Sequence, residues 1–146
     1  MFSSVVDVVH PAIVGTLERV TKMKRLEFRY LVCSPNLNAH GTLHGGELLR
    51  WIDESAGMHA RKLTRRVCVT RFIDKVDFIS TARSGDIIHI VTTLEHTGST
   101  SLTYRVEAKE EISGRQVASI GRVVFVAIDD QGQPVPHSVT IDDETR

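Results

Sequence analysis

The spacing of apolar residues changes period several times along the chain. In "RLEFRYLV" (25–32), Leu26, Phe28, Tyr30 and Val32 alternate with Arg25, Glu27 and Arg29, the pattern of a half-buried strand. From Glu47 to Leu63 the period becomes helical. Leu48, Leu49, Ile52, Ala56, Ala60 and Leu63 fall in one arc, with Glu47, Arg50, Glu54 and Arg61 opposite, which predicts an amphipathic helix over 45–63. Four further strands follow, at 66–78, 86–97, 102–112 and 116–128, separated by the turns "SGD" (84–86), "GSTS" (98–101) and "SGR" (113–115). The third of these alternates cleanly, Leu102, Tyr104, Val106 and Ala108 inward. The last is apolar on both faces near its end, so it is expected to be covered on both sides. Tight turns join antiparallel neighbours. The expected class is α+β, an antiparallel sheet of about five strands with one long helix packed on one face.

At 146 residues the chain fits one domain. The expected organisation is a lead segment 1–24, a domain 25–128 and a polar tail 129–146. The tail holds Pro134, Pro136 and an acidic "DDE", and is expected to be loop or partly disordered. "MFSSVVDVVHPAIVG" lacks a basic start and a cleavage signal, so it reads as mature sequence rather than a signal peptide. No run reaches the ~20 apolar residues of a membrane helix. Lys+Arg and Asp+Glu number 18 each, giving a net charge of zero. That argues against nucleic acid as a partner and is compatible with homo-oligomers. Cys33 and Cys68 fall in apolar runs and read as reduced, buried thiols, which places the protein in the cytoplasm.

One residue does not fit the helix pattern. Glu54 belongs to the solvated stripe, four residues from Arg50, but Asp53 sits beside Leu49 and Ala60 at the edge of the apolar arc. A buried carboxylate costs several kcal/mol unless it is paired or hydrogen-bonded, so Asp53 is half of a structural ion pair, the cap of a neighbouring loop, or a chemical group. Gly46 and Gly57 lie on the same edge. Gly45-Gly46 opens the helix, where backbone N–H groups are free and the dipole adds positive charge, suited to a carbonyl oxygen gaining negative charge. Gly46 and Asp53 are separated by roughly 10 Å of helix rise, too far for one copy to bring both to one carbonyl. Two helices packed antiparallel, with Gly57 at the close approach, would do it. The expectation is a dimer with sites at the interface.

These residues resemble a known pattern. "NAHGTLHGGELLRWID" (38–53), then Val69-Thr70, Asp74 to Phe78, "SGD" and "GSTS" are similar to the hotdog-fold acyl-CoA thioesterases (acyl-CoA hydrolases), over roughly 25–128. The resemblance implies a central helix wrapped by the sheet, and homodimers with shared sites assembled into tetramers or hexamers. It implies that Asp53 is the catalytic carboxylate and that Asn38 comes from the partner subunit. Gly98, Ser99, Thr100 and Ser101 would lie near the CoA moiety and Thr70 near the pantetheine arm. His44, Gly45 and Gly46 would line the site and hold the oxyanion. No cofactor is implied, coenzyme A being part of the substrate. Asp53 would act as general base or as nucleophile through an anhydride. His40 and His44 lie four apart but precede the helix, so no metal site is expected. His59 falls in the apolar arc and reads as a satisfied core histidine. A hotdog hydratase or dehydratase using His44 and Asp53, and a non-catalytic acyl-CoA-binding module, are the competing readings.

Overall fold

All five strands predicted from the alternation are present, in one antiparallel sheet. The computed structural model describes residues 23–141, so most of the lead segment and the acidic end of the tail lie outside the described residues. The strands are β1 (Arg25–Leu31), β2 (Val67–Phe78), β3 (Ile87–Thr97), β4 (Ser101–Glu110) and β5 (Gln116–Ile128), in spatial order β1-β3-β4-β5-β2. One helix, α1 (Gly45–Thr64), follows β1 after a single 3-10 turn at Ser34–Asn36. No helix among the described residues is long and apolar enough to cross a membrane.

The helix begins at His44, in extended backbone, and ends at Arg65, which adopts the left-handed conformation with φ 58°. Its buried face is rotated from the expected arc. Leu48, Ile52, Ala56, His59 and Ala60 are buried as expected, but so are Trp51, Ser55 and Thr64, while Leu49 and Leu63 are only half-buried. The cause is β1. Tyr30 stacks on Trp51 with ring centroids 4.9 Å apart and planes 7° from parallel, and its hydroxyl lies 3.2 Å from Ser55 Oγ. An aromatic stack covers a flank that a helical wheel leaves in water.

His59 is the satisfied core histidine expected. Its Nε2 donates to the Met23 carbonyl at 2.7 Å, and Nδ1 accepts from the Thr92 hydroxyl at 2.8 Å. Burial holds its pKa below the ordinary 6.5, with Lys62 adding to the effect and the Met23 carbonyl opposing it. The unfolded chain therefore takes up this proton more readily than the folded one. The contribution of His59 to stability is full above about pH 6.5 and is lost as pH falls toward its folded pKa. Urea midpoints are expected to drop between pH 7.5 and 5.5, by less in His59→Gln.

β4 alternates as read, with Leu102, Tyr104, Val106 and Ala108 fully buried. Tyr104 packs on His59 and edge-on to Phe125, and its hydroxyl is the one buried side-chain polar atom without a hydrogen-bond partner among the described residues. Such a group costs about 1–3 kcal/mol. Tyr104→Phe is expected to stabilise the fold by about 1 kcal/mol, seen as a rise in melting temperature; a fall would mean the hydroxyl has a partner.

Phe125, Val126 and Ala127 are buried in succession, as expected for the end of the last strand. The tail beyond it is irregular but tied down. Pro134 bridges to Ile128, Val135 N–H donates to Ala127 O at 2.9 Å, and His137 N–H to Ser99 O at 3.2 Å. Composition does not reveal these ties, because they satisfy backbone groups exposed only where β4 stops short of β5. The cysteines differ from expectation. Both are free thiols, but Cys33 is exposed and Cys68 half-buried. Cys33 caps the 3-10 turn, its N–H bonding Asn36 Oδ1 at 2.8 Å.

Candidate active site

Asp53 lies on the flank of α1 that meets β2. It is half-buried, and Thr70 Oγ1 donates to its Oδ1 at 2.5 Å. No cation pairs with it among the described residues, whereas neighbouring Glu54 pairs with Arg50 on the solvated stripe. Among the described residues Asp53 is therefore not half of an ion pair. It is a carboxylate steered by one hydroxyl. The resemblance puts Thr70 near the pantetheine arm; within the chain its hydroxyl also orients the carboxylate, a role invisible in sequence because it depends on α1 lying against β2.

At the start of α1 the donors differ from expectation. Gly46 N–H is not free: it donates to His44 Nδ1 at 2.9 Å. A Cβ at Gly46 would meet the His44 ring at 3.1 Å, so the glycine lets the imidazole fold over the helix end. Because Nδ1 accepts, the ring N–H is on Nε2. Gly45 N–H has no acceptor among the described residues, and the Phe78 ring lies beside that glycine. A free donor remains at the helix end, but it is Gly45 with the His44 edge rather than the glycine pair.

Asn38 is not brought to Asp53 within one chain. Its Oδ1 accepts from His40 N–H at 2.9 Å and Thr42 N–H at 3.2 Å, and its Nδ2 lies 3.0 Å from Thr42 Oγ1. These bonds shape the 38–42 turn, Asn38 O also accepting from Gly41 N–H. The loop is anchored by Leu43 N–H on Ala82 O and His44 N–H on Asn36 O. Gly57 has a role within the chain as well. A Cβ there would meet the Phe125 ring at 3.2 Å, so its small size serves packing of α1 on its own β5.

The sheet register sets the turn 98–101 in place. Thr70 pairs with Phe125, Phe125 with Leu102, and Leu102 with Thr97. The turn thus follows directly on the row that holds Thr70, two strands away or roughly 10 Å. Gly98 N–H donates to Ser101 O at 2.9 Å, and a Cβ on Gly98 would lie 2.5 Å from Ser101 Oγ, so a larger residue there would turn the Ser101 hydroxyl away. The tail locks it. Buried His137 donates from Nε2 to Ser101 O at 2.9 Å and accepts Val139 N–H on Nδ1 at 3.0 Å. Sequence reading missed His137, one polar residue among many in a proline-containing tail. His137→Ala is expected to destabilise the fold by about 1–3 kcal/mol and to speed hydrogen exchange at 98–101; unchanged exchange would show the turn stands alone.

Residues 40–117 match the Thioesterase superfamily. The chain is 34% identical over 102 residues to the uncharacterized acyl-CoA thioester hydrolase YkhA of Bacillus subtilis, covering 68% of this chain and 59% of that protein. It therefore spans less than two thirds of that relative. A hexameric acyl-CoA thioesterase superposes with a TM-score of 0.70 at 34% identity, covering 79% of this chain and 76% of the other. The acyl-CoA hydrolase of Staphylococcus aureus, in complex with butyryl coenzyme A, does so with a TM-score of 0.69 at 30% identity, covering 79% and 70%. That protein has also been characterised with an asparagine, an aspartate or a threonine replaced by alanine. The five-stranded sheet around one long helix is the hotdog fold of these neighbours, and this chain belongs to the thioesterase superfamily.

Proposed function

We propose that the protein is a cytoplasmic acyl-CoA thioesterase, hydrolysing an acyl-CoA thioester to free coenzyme A and a carboxylic acid. The observation that carries this reading is the Asp53 carboxylate, half-buried, without a cation among the described residues and held by the Thr70 hydroxyl. Water attacks the thioester carbonyl carbon and gives its proton to Asp53. The oxyanion is met by Gly45 N–H and His44 Nε2–H, the C–S bond breaks, and the thiolate leaves with that proton. Attack by Asp53 itself, through an anhydride that water then opens, uses the same groups. The asparagine, aspartate and threonine altered in the Staphylococcus aureus hydrolase occur in the same order and at the same intervals as Asn38, Asp53 and Thr70, which supports giving these three residues a joint role.

The site takes Asn38 from a second copy. β2 is an edge strand of 12 residues whose outer hydrogen-bonding groups have no neighbour among the described residues, and it exposes Val67, Val69, Phe72, Val76 and Phe78. A long apolar edge is a template for pairing with another strand. Pairing two β2 edges sets two copies of α1 side by side, each Asp53 facing the partner's loop. Such dimers assembled into a hexamer would match the hexameric relative.

The test is a panel of acyl-CoAs with a thiol-detecting reagent. Stoichiometric release of free thiol and acid is expected. Binding without release would make the protein an acyl-CoA-binding module, and a change in double-bond absorbance without thiol would make it a hydratase.

A further inference from the structure

The C-terminal half of α1 carries a second feature. Met58, Arg61, Lys62 and Arg65 line a cavity of 450 Å³ on the solvent side of the helix, and Arg66 follows at the turn into β2. Elsewhere the arginines of this neutral chain are largely neutralised: Arg25, Arg29, Arg50, Arg105, Arg115 and Arg122 each face a carboxylate. None of the four cations at the helix end has such a partner among the described residues. Three like charges around one hollow repel each other. The helix dipole favours cations at a C-terminus but does not require them to converge. An occupant with several negative charges relieves that repulsion, and guanidinium groups suit phosphate oxygens. Exposed Met58 adds an apolar wall.

The position selects the occupant. Arg61 and Arg65 stand about 12 and 18 Å farther along the axis than Asp53. A pantetheine arm is as long as about four extended backbone units, roughly 14 Å. With the thioester carbonyl at Asp53, the far end of an arm that crosses from the β2 flank to the solvent side of the helix comes level with this hollow. We propose that the cavity at Met58, Arg61, Lys62 and Arg65 receives the phosphate groups of coenzyme A, an assignment that rests on the thioesterase reading. The "GSTS" turn would then hold another part of the nucleotide or none of it.

The test compares hydrolysis of acyl-CoA, acyl-dephospho-CoA and acyl-pantetheine by the full chain and by Arg61→Gln/Lys62→Gln, with circular dichroism to verify folding. The preference for acyl-CoA over acyl-pantetheine, as a ratio of kcat/KM, is expected to fall about tenfold or more in the variant. The wild-type KM for acyl-CoA should rise with salt more steeply than the variant's. A matching loss on acyl-dephospho-CoA assigns the cavity to the diphosphate, and a preserved value assigns it to the 3′-phosphate. An unchanged preference, or an equal loss on acyl-pantetheine, overturns the proposal. If the wild type cleaves none of the three, the thioesterase reading fails by itself. Calorimetry with coenzyme A then decides the cavity: weaker binding in the variant supports it, and equal binding overturns it.

Discussion

Asp53→Asn is expected to lower kcat by about 10²–10⁴-fold while the protein stays folded. The substitution keeps the shape of the side chain, and the amide oxygen can still accept from Thr70 Oγ1, now 2.5 Å from Oδ1. It removes the basic oxygen that takes the proton of water or attacks the carbonyl. Because the carboxylate has no cationic partner among the described residues, no orphaned charge is left behind and the fold has little to lose. The loss should therefore appear in kcat with a nearly unchanged melting temperature. Near-normal thiol release from Asp53→Asn would remove this residue from the mechanism. Thr70→Val is expected to lie between the two, since it leaves the carboxylate in place but unsteered.

The second large effect concerns assembly. Val69→Lys with Val76→Lys places two charges on the bare β2 edge, at side chains already exposed in one copy (41% and 38%). The single chain should fold unchanged, while lysines on an edge oppose strand pairing. The variant is expected to elute as a monomer on size exclusion with light scattering, and to lose thiol release along with assembly. A monomer that retains turnover would show that one chain completes the site and that Asn38 of a second copy is not needed. Asn38→Asp separates the roles of that residue. It preserves the acceptor for His40 and Thr42 N–H but removes the amide donor, so a folded loop with lost turnover would place the amide in the chemistry.

Much of this was legible in the amino-acid order, for a physical reason. Strand and helix periods are local, so "RLEFRYLV", the arc from Leu48 to Ala60, and the alternation from Leu102 to Ala108 each reveal their element without knowledge of any partner. Asp53 stood out by the same logic, as a charge at the edge of an apolar arc. The tight turns fixed antiparallel pairing between β3, β4 and β5. What the sequence could not determine depends on which surfaces meet. The buried face of α1 turned toward Trp51 and Ser55 because Tyr30, on another element, stacks there. Thr70 became the partner of Asp53 because β2 runs beside the helix, and Gly57 lies against Phe125 of the same chain. His44 took the Gly46 N–H that the glycine pair alone suggested was free. His137 reached the 98–101 turn through a tail whose composition reads as loose. The chain order by itself determined the elements and the carboxylate. Tertiary structure decided its hydroxyl partner, the donor left open at the helix end and the strap on the turn, because these are contacts between residues far apart in sequence that no local period encodes.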